Sequence, residues 1–418
     1  MKGMKMLKVA MALLAVSALT AQCSLLGLED EEEDNTALLA LALLAGGTNS
    51  CTTYCPNASD FVAKSGNISA SETWSRCTVL TGVVNIQSGA TVTVPAGSCV
   101  QGQSGSALFV LQGAQLNAVG TSGAPIIFTS SRAEGQRSPQ DWGGIVLIGN
   151  APSSDTGQTT EGPVAINYSG GANAADSSGT LKYVRIEFCG NEVSPGDELN
   201  CLSMYAVGSG TTLEHIQAHM GKDDGFEWFG GRANASFLLA TGIGDDAFDL
   251  DRGYRATITS AIDYRYPAAS GVTYSGDPRG LEWDGSGSDD ADRSEVTLNK
   301  FTLIGDSATQ RAGQIREGAQ ATLTNGVYVG YPLGLNVDGA APGTAAMTCT
   351  NVRGDQATTA SNAGTNNCTL TSSSESISTY VTTAWDINNP SVAPNLPVIA
   401  NTGTEGAWFT GWTYWVNK

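Results

Sequence analysis

The segment Thr211–Arg255 nearly repeats itself, and a near-repeat of this kind leaves few folds open. Asp223-Asp224-Gly225-Phe226-Glu227-Trp228 returns as Asp245-Asp246-Ala247-Phe248-Asp249-Leu250, 22 residues later. Gly280-Leu281-Glu282-Trp283-Asp284-Gly285 echoes Gly225–Gly230 at an offset of 55 residues. A period near 22, made of short apolar runs and Gly/Asp turns, is that of a solenoid whose coils each supply short strands. Stacking such coils also lays acids on acids, which needs an explanation.

The rest of the chain keeps the same rhythm. Val79–Ile86, Ala90–Gly97, Ala107–Leu111, Ala114–Ala118, Pro125–Thr129 and Trp142–Ile148 are short runs, most of them alternating, that end near Gly, Pro or Asn. Thr180–Phe188, Thr212–Ala218, Ser236–Thr241, Ala256–Ile262, Val296–Ile304 and Ala321–Val329 continue the series. With 51 Gly against 14 Pro and no sustained helical stripe, helix content is expected to be low. The pattern predicts an all-β chain, a parallel β-helix of about 20–25 residues per coil over residues 78–339. A β-sandwich would need Asn-Gly or Asp-Gly hairpins, which are scarce. Ser153–Ser178, Asn191–Asn200, Pro267–Gly280 and Ser286–Asp292 read as insertions, and long connections on a solenoid face carry function. Residues 340–418 comprise a Thr/Ala/Asn-rich segment and the aromatic end Trp408–Trp415. That end is expected to cap the open apolar core, with stacking on a sugar as the sharper alternative.

The N-terminus reads as an address. Lys2, Lys5 and Lys8 precede the apolar core Val9–Leu19, and Leu19-Thr20-Ala21-Gln22 leads to Cys23. Residues 1–22 therefore read as a secretory signal, and the core is too short to span a bilayer. Cys23 sits where a lipobox would place a diacylated cysteine, although Gln22 departs from the usual small residue. A lipid bilayer, reached through that acyl anchor, is then a partner, and the location is the outer membrane or cell envelope. Residues 23–50 form a tether with the acidic run Glu29–Asp34 and the Leu/Ala run Ala37–Ala45. Residues 51–77 form a Cys-containing lead-in.

With Cys23 lipidated, eight of nine cysteines remain, and an exported chain without C-x-x-C reads as disulfide-bonded. Proximity in sequence suggests Cys77–Cys99, Cys189–Cys201 and Cys349–Cys368, leaving Cys51 and Cys55 to pair together or cross to other partners. The formal net charge of −19 argues against nucleic acid as a partner.

Ala90–Gly102 (ATVTVPAGSCVQG), Gln112–Thr129, Asp141–Pro152 (DWGGIVLIGNAP), Tyr183–Gly190 and Asp223–Gly231 (DDGFEWFGG) together resemble a family of exported bacterial β-helix proteins. The family is common among spirochaete lipoproteins and Bacteroidetes secreted proteins, and is similar in architecture to the pectin-lyase-like right-handed β-helices. The likeness covers Thr78–Gly339, and Gly406–Trp412 is similar to the family's closing segment. It implies a right-handed β-helix and an exported location; it brings no activity with it.

In a β-helix, Asp223/Asp245 and Asp224/Asp246 would occupy equivalent positions about 4.8 Å apart. Glu227 and Asp249 would point away from the aromatics, with Glu282 extending their column. Like charges so close repel by about 1 kcal/mol per pair even in water-like surroundings. Three arrangements relieve this: local turn hydrogen bonds with salt bridges to Lys222, Arg232, Arg252 or Arg255; a Ca²⁺ ion on Asp223, Asp224, Glu227, Asp245, Asp246 and Asp249; or a catalytic site using Asp223, Asp224, Asp245 and Asp246. Ca²⁺ is the one cofactor these residues suggest. His215 and His219 at i, i+4 would mark a metal pair only on a helix, and their setting reads as strand. Arg353-Gly354-Asp355 resembles an adhesion tripeptide in a loop, a match that arises often by chance.

These readings converge on a lipid-anchored envelope protein that presents a rigid β-helix for binding a glycan or an extracellular protein, or for envelope structure. The competing expectation is a polysaccharide lyase or glycoside hydrolase using the stacked Asp pairs, with Ca²⁺ assisting.

Overall fold

A computed structural model describes residues 49–418, apart from 155–156, 195–196, 286–292, 307–309, 341–342, 389–390, 392 and 397–407. The signal segment, Cys23, all but the last two tether residues and the Ser286–Asp292 insertion lie outside the described residues. Among those described, no helix is long and apolar enough to cross a membrane.

Among the described residues, twenty-four strands form one continuous parallel ladder that winds as three stacked sheets. The first sheet runs through Ile126–Ser130, Val184–Glu187, Ile216–His219, Leu238–Thr241 and Ala261–Tyr264. The second runs through Leu108–Val110, Ile145–Ile148, Leu202–Tyr205, Phe226–Phe229, Phe248–Asp251, Arg279–Trp283, Arg311–Ile315 and Leu335–Asp338. The third carries Thr91–Val94, Gln115–Val119 and the leading halves of the long strands, such as Thr212–Glu214 and Glu295–Asn299.

Alternation explains each sheet. Phe226, Trp228, Phe248 and Leu250 point inward and are buried, while Glu227 and Asp249 take the opposite side. Successive coils stack like on like: the Phe226 and Phe248 rings lie 5.6 Å apart at 8°, and Trp228 lies 5.3 Å from Tyr254. The interior is almost wholly aliphatic and aromatic, so coil after coil withdraws apolar area from water at about 25 cal/mol per Å².

The long strands bend from the third sheet into the first at a single left-handed residue. Tyr183, His215, Phe237, Ser260, Lys300, Asn325 and Asn351 all have φ between 51° and 62°. Their neighbours pair in register, so they form one column down the solenoid. A left-handed non-glycine residue costs roughly 1–2 kcal/mol. Stacking offsets that cost at one end: His215 lies 4.3 Å from both Tyr183 and Phe237. At the other end Asn325 Nδ2 donates to Asn299 Oδ1, and Asn351 Nδ2 to Asn325 Oδ1, each at 2.9 Å. A second column, Ala206, Gly230 and Arg252, turns the chain out of the second sheet.

The ladder exceeds the expected bounds of 78–339 at both ends. Val62–Ile68 already pairs with Cys77–Ile86, and coils continue through Ala346–Gly354 to Thr365–Asn367. The last coils escape a hydrophobic reading because only their inward positions, such as Met347 and Val352, are apolar, while Thr348 and Thr350 face solvent.

Two further expectations are corrected. Cys77 and Cys99 are register neighbours but do not bond to each other. The one-turn helix Cys51–Tyr54 presents Cys51 and, just beyond it, Cys55 over both coils, giving Cys51–Cys99 and Cys55–Cys77. Cys189–Cys201 and Cys349–Cys368 are bonded. The aromatic C-terminus, expected over the open end, lies along the outer face of the first sheet. Gln217 exchanges two hydrogen bonds with the Tyr414 backbone, Arg185 donates to Trp412 O, and Tyr266 Oη donates to Trp415 O. Phe409, Trp415, Trp385 and Tyr380 pack there on Leu239, Ile262, Tyr264 and Val329. From Leu239 onward the outward side of this sheet carries apolar residues, among them Ile262, Tyr264, Ile304, Val327 and Val329, and that demands a cover along the flank.

Candidate functional site: an acidic column on the second sheet

The register places Glu227 opposite Asp249 and Asp249 opposite Glu282, in one outward column. The two Asp pairs occupy the turns that lead into these strands. Asp246 N donates to Asp224 Oδ1 at 2.8 Å, and Asp224 N donates to Asn200 Oδ1 at 3.1 Å. The turns are thereby locked coil to coil, and each pair is carried to the head of the outward column.

Five carboxylates converge as two overlapping triads. Asp223, Asp224 and Asp245 each offer an oxygen within 4.8 Å of the others, and so do Asp224, Glu227 and Asp249. Asp224 belongs to both. Asp224, Glu227 and Asp246 are buried, and Asp223, Asp245 and Asp249 are half-buried. Asp249 Oδ1 is shut from solvent without a hydrogen-bond partner. Burial first, and neighbouring carboxylates next, push Asp223, Asp224, Glu227, Asp246 and Asp249 well above the usual carboxylate range. Asp245 is raised by burial too, although a hydrogen bond from Ser275 opposes the rise.

Three insertions gather around the column. The 153–178 segment brings Glu161, whose carboxyl is pushed up to about 8 by burial and by Asp197 and Glu198. The antiparallel hairpin Asn191–Ser194/Asp197–Leu199, closed by Cys189–Cys201, brings Glu198 near Asp223, and Asn200 donates to Glu227 and to Ser203 Oγ. The 267–280 segment brings Ser275 to Asp245 and Asp277 to Arg279. Single residues such as Asn200, Glu161 and Ser275 carry no motif; the only signal for them was membership of an insertion.

Arginines distant in sequence from the Asp pairs also reach the column. Arg279 pairs with Asp246 at 3.5 Å, with Asp277 at 2.6 Å and with Glu282; Arg316 pairs with Asp284 at 2.6 Å and with Glu282. Arg232 donates to the carbonyls of Pro152, Gly231 and Gly253, Arg252 pairs with Asp251, and Arg255 donates to Arg293 O. Lys222 lowers Asp223 less than the surrounding carboxylates raise it. Arginine thus meets the C-terminal end of the column, where burial still leaves Asp284 at about 6.

A glycosidase keeps two carboxyl groups about 5–5.5 Å or 6.5–9.5 Å apart with the sugar between them. Here three carboxylates point at one place, which is how a hard cation with oxygen ligands is held. Burial works to lower the pKa of Arg279 and Arg316, and their carboxylate contacts outweigh it and raise both.

The remaining motifs are structural. His215 is a stacked corner residue. His219 faces Thr241 Oγ1 and Val416 O at 2.8 Å each, and its burial pulls its pKa down to about 3. Arg353-Gly354-Asp355 is built into a coil instead of a loop: the strand ends at Gly354, and Asp355 Oδ2 accepts from Gly330 N at 2.6 Å.

A parallel β-helix with insertions gathered about a buried acidic column is the class of architecture these observations define. A family model described as a pectate-lyase-like beta helix domain matches residues 66–413, and the chain belongs to that family. No curated protein matches the chain. Among solved structures, the full-length tailspike protein 2 from Escherichia coli O157:H7 bacteriophage CAB120 is similar at 9% identity, with a TM-score of 0.34. That match covers 73% of this chain and 38% of the tailspike.

Proposed function

We propose that the chain is an exported, lipid-anchored envelope protein whose acidic column takes up Ca²⁺ and, so loaded, binds a glycan along the second sheet. The observation that carries the reading is the pair of triads sharing Asp224. Buried carboxylates that raise one another's pKa are stabilised when a divalent ion supplies the missing positive charge. The four disulfides support export. Glycan is the ligand proposed because a long, rigid sheet edged by insertions offers one polar surface per coil to an extended polymer.

Calorimetric titration of the purified protein with Ca²⁺, followed by a glycan panel with and without chelator, tests the site. Ca²⁺ binding that raises the melting temperature, with glycan retention that needs the ion, supports the proposal. An unchanged melting temperature in excess chelator would sink the Ca²⁺ part. New reducing or unsaturated ends on the glycan would instead favour the cleavage reading. Palmitate labelling that survives Cys23→Ser would remove the anchor.

A further inference from the structure

Residues 265–278 connect the first sheet to the second, and they touch two distant parts of the molecule at once. The strand Arg255–Tyr264 ends on one side of the connection, and Arg279–Trp283 begins on the other. Arg265 is wholly buried, and a buried guanidinium must be paired and hydrogen-bonded. Asp263 supplies the opposite charge at 2.8 Å and accepts from Tyr331 Oη at 2.6 Å. The Nη groups of Arg265 donate to main chain: Ile243 O at 2.9 Å, Asp245 O at 2.5 Å, and Arg279 O. Arg265 therefore clamps the turn that bears Asp245 and Asp246 against the head of the next strand. Ser275 completes the grip, with its N donating to Gly244 O at 2.9 Å and its Oγ to Asp245 Oδ1 at 2.5 Å. The wall sets how far apart the carboxylates stand; Ser275 sets which way Asp245 turns toward Asp223 and Asp224.

The same connection meets the C-terminal segment. Tyr266 Oη donates to Trp415 O at 3.0 Å, and Asn417 Nδ2 donates to Ser270 O at 2.5 Å. Trp385 stacks on Tyr266 at 4.4 Å and donates its indole N–H to Trp415 O at 2.9 Å. Tyr274 Oη donates back to Tyr266 O at 2.7 Å, and the Arg265 guanidinium lies 6.0 Å from the Tyr274 ring centre. Contacts thus run without a gap from Trp415 through Tyr266, Arg265 and Tyr274 to Ser275 and Asp245.

We propose that Ser275 and Arg265 are positioning residues for the cation site, and that through them cation uptake and docking of the C-terminal segment strengthen each other. The proposal rests on the Ca²⁺ reading above and adds regulation to that site. A cation on Asp245 needs the Ser275 turn in place, and the docked segment helps to hold that turn. Ordering either end lowers the cost of ordering the other. Such coupling is reciprocal: docking tightens the ion by the factor by which the ion tightens docking.

Ca²⁺ calorimetry and amide exchange on the full protein test it. Tyr266→Phe combined with Asn417→Ala removes two hydrogen bonds to the C-terminal segment and no group that faces the carboxylates. It should weaken Ca²⁺ at least about fivefold. In the wild type, saturating Ca²⁺ should slow exchange of the Tyr414 amide, which donates to Gln217 Oε1 at 2.7 Å, by a comparable factor. Exchange around Val62–Ile68 should stay unchanged, which separates coupling from general stiffening. Ser275→Ala should weaken Ca²⁺ about tenfold and shrink the slowing at Tyr414, and Ser275→Thr, which keeps the hydroxyl, should restore both. Wild-type Ca²⁺ affinity in the double variant, or exchange at Tyr414 indifferent to Ca²⁺, overturns the coupling and leaves the acidic column standing. Unchanged affinity in Ser275→Ala removes the positioning role. A wild type that takes up no Ca²⁺ overturns the ion reading and this proposal together.

Discussion

Asp224 stands in both triads, so one substitution at this residue addresses the whole cluster. Asn keeps the Oδ1 acceptor that receives Asp246 N and removes the charge. Asp224→Asn should weaken Ca²⁺ at least tenfold, about 1.4 kcal/mol, while the ion-free protein becomes no less stable than wild type. Paired Ca²⁺ titrations and urea melts in chelator check both halves. Removing a buried carboxylate should also change the response to pH. Each raised carboxyl holds its proton more tightly folded than unfolded. Its stabilising contribution is complete below the unfolded value, about 4, and is lost as pH rises through the folded one, about 8 for Glu161. Ion-free protein should therefore lose stability as pH rises from about 4 to about 8, and saturating Ca²⁺ should flatten the curve. Urea melts that show ion-free stability rising with pH would contradict the cluster. The column itself was legible in the sequence because the 22-residue period sets Glu227 on Asp249. Its arginines were not, because the insertion before Arg279 lengthens that coil. Arg279 and Arg316, distant in sequence from the Asp pairs, are brought by that longer coil beside Asp246 and Glu282.

At the scale of elements, the C-terminal segment behaves as a strap. Trp412 is fully buried at its centre, and Trp412→Ala should cost about 3–5 kcal/mol, read from denaturant melts, with faster amide exchange in the 408–416 segment. His219 makes the strap acid-sensitive. Its folded pKa of about 3 lies below the unfolded value, so the stability it contributes is present above pH 6.5 and drains as pH falls toward 3. His219→Gln should remove that component from a stability–pH curve, and an unchanged slope would exclude it. The aromatic composition of Trp408–Trp415 announced burial but could not say which surface it covers. That depends on Leu239 and Ile262 facing outward on strands whose inner side is also apolar. Nor could the corners be read: Tyr183, His215 and Phe237 bear none of the Gly or Asn signature expected of left-handed residues.

Across the whole molecule the three sheets have different fates. The first is strapped, the second carries the insertions and the acids, and the third faces solvent with a ladder of Thr257, Thr297, Thr322 and Thr348. The N-terminal coils are secured covalently instead, by Cys51–Cys99 and Cys55–Cys77. Replacing Cys55 and Cys77 by Ala should cost roughly 2–4 kcal/mol. Hydrogen exchange should rise around Val62–Ile68 and leave the Phe226–Trp283 coils unchanged. A disulfide-bonded solenoid was legible from composition and spacing, whereas the crossed cysteine pairing required knowing that a helical turn lies over two coils at once.

The single-residue corners also govern how such a chain can change length. Phe226 to Phe248 spans 22 residues and Phe248 to Leu281 spans 33, yet their strands stack without a break. The surplus leaves the wall entirely as a connection, and the next coil resumes in phase. One residue added within a strand, by contrast, would swap inner for outer faces from that point to the corner. Loops around the acids can thus be lengthened, shortened or exchanged as separate parts, while the carboxylate spacing stays pinned by the wall behind it. For an engineer, the rim of this site is editable and its floor is not.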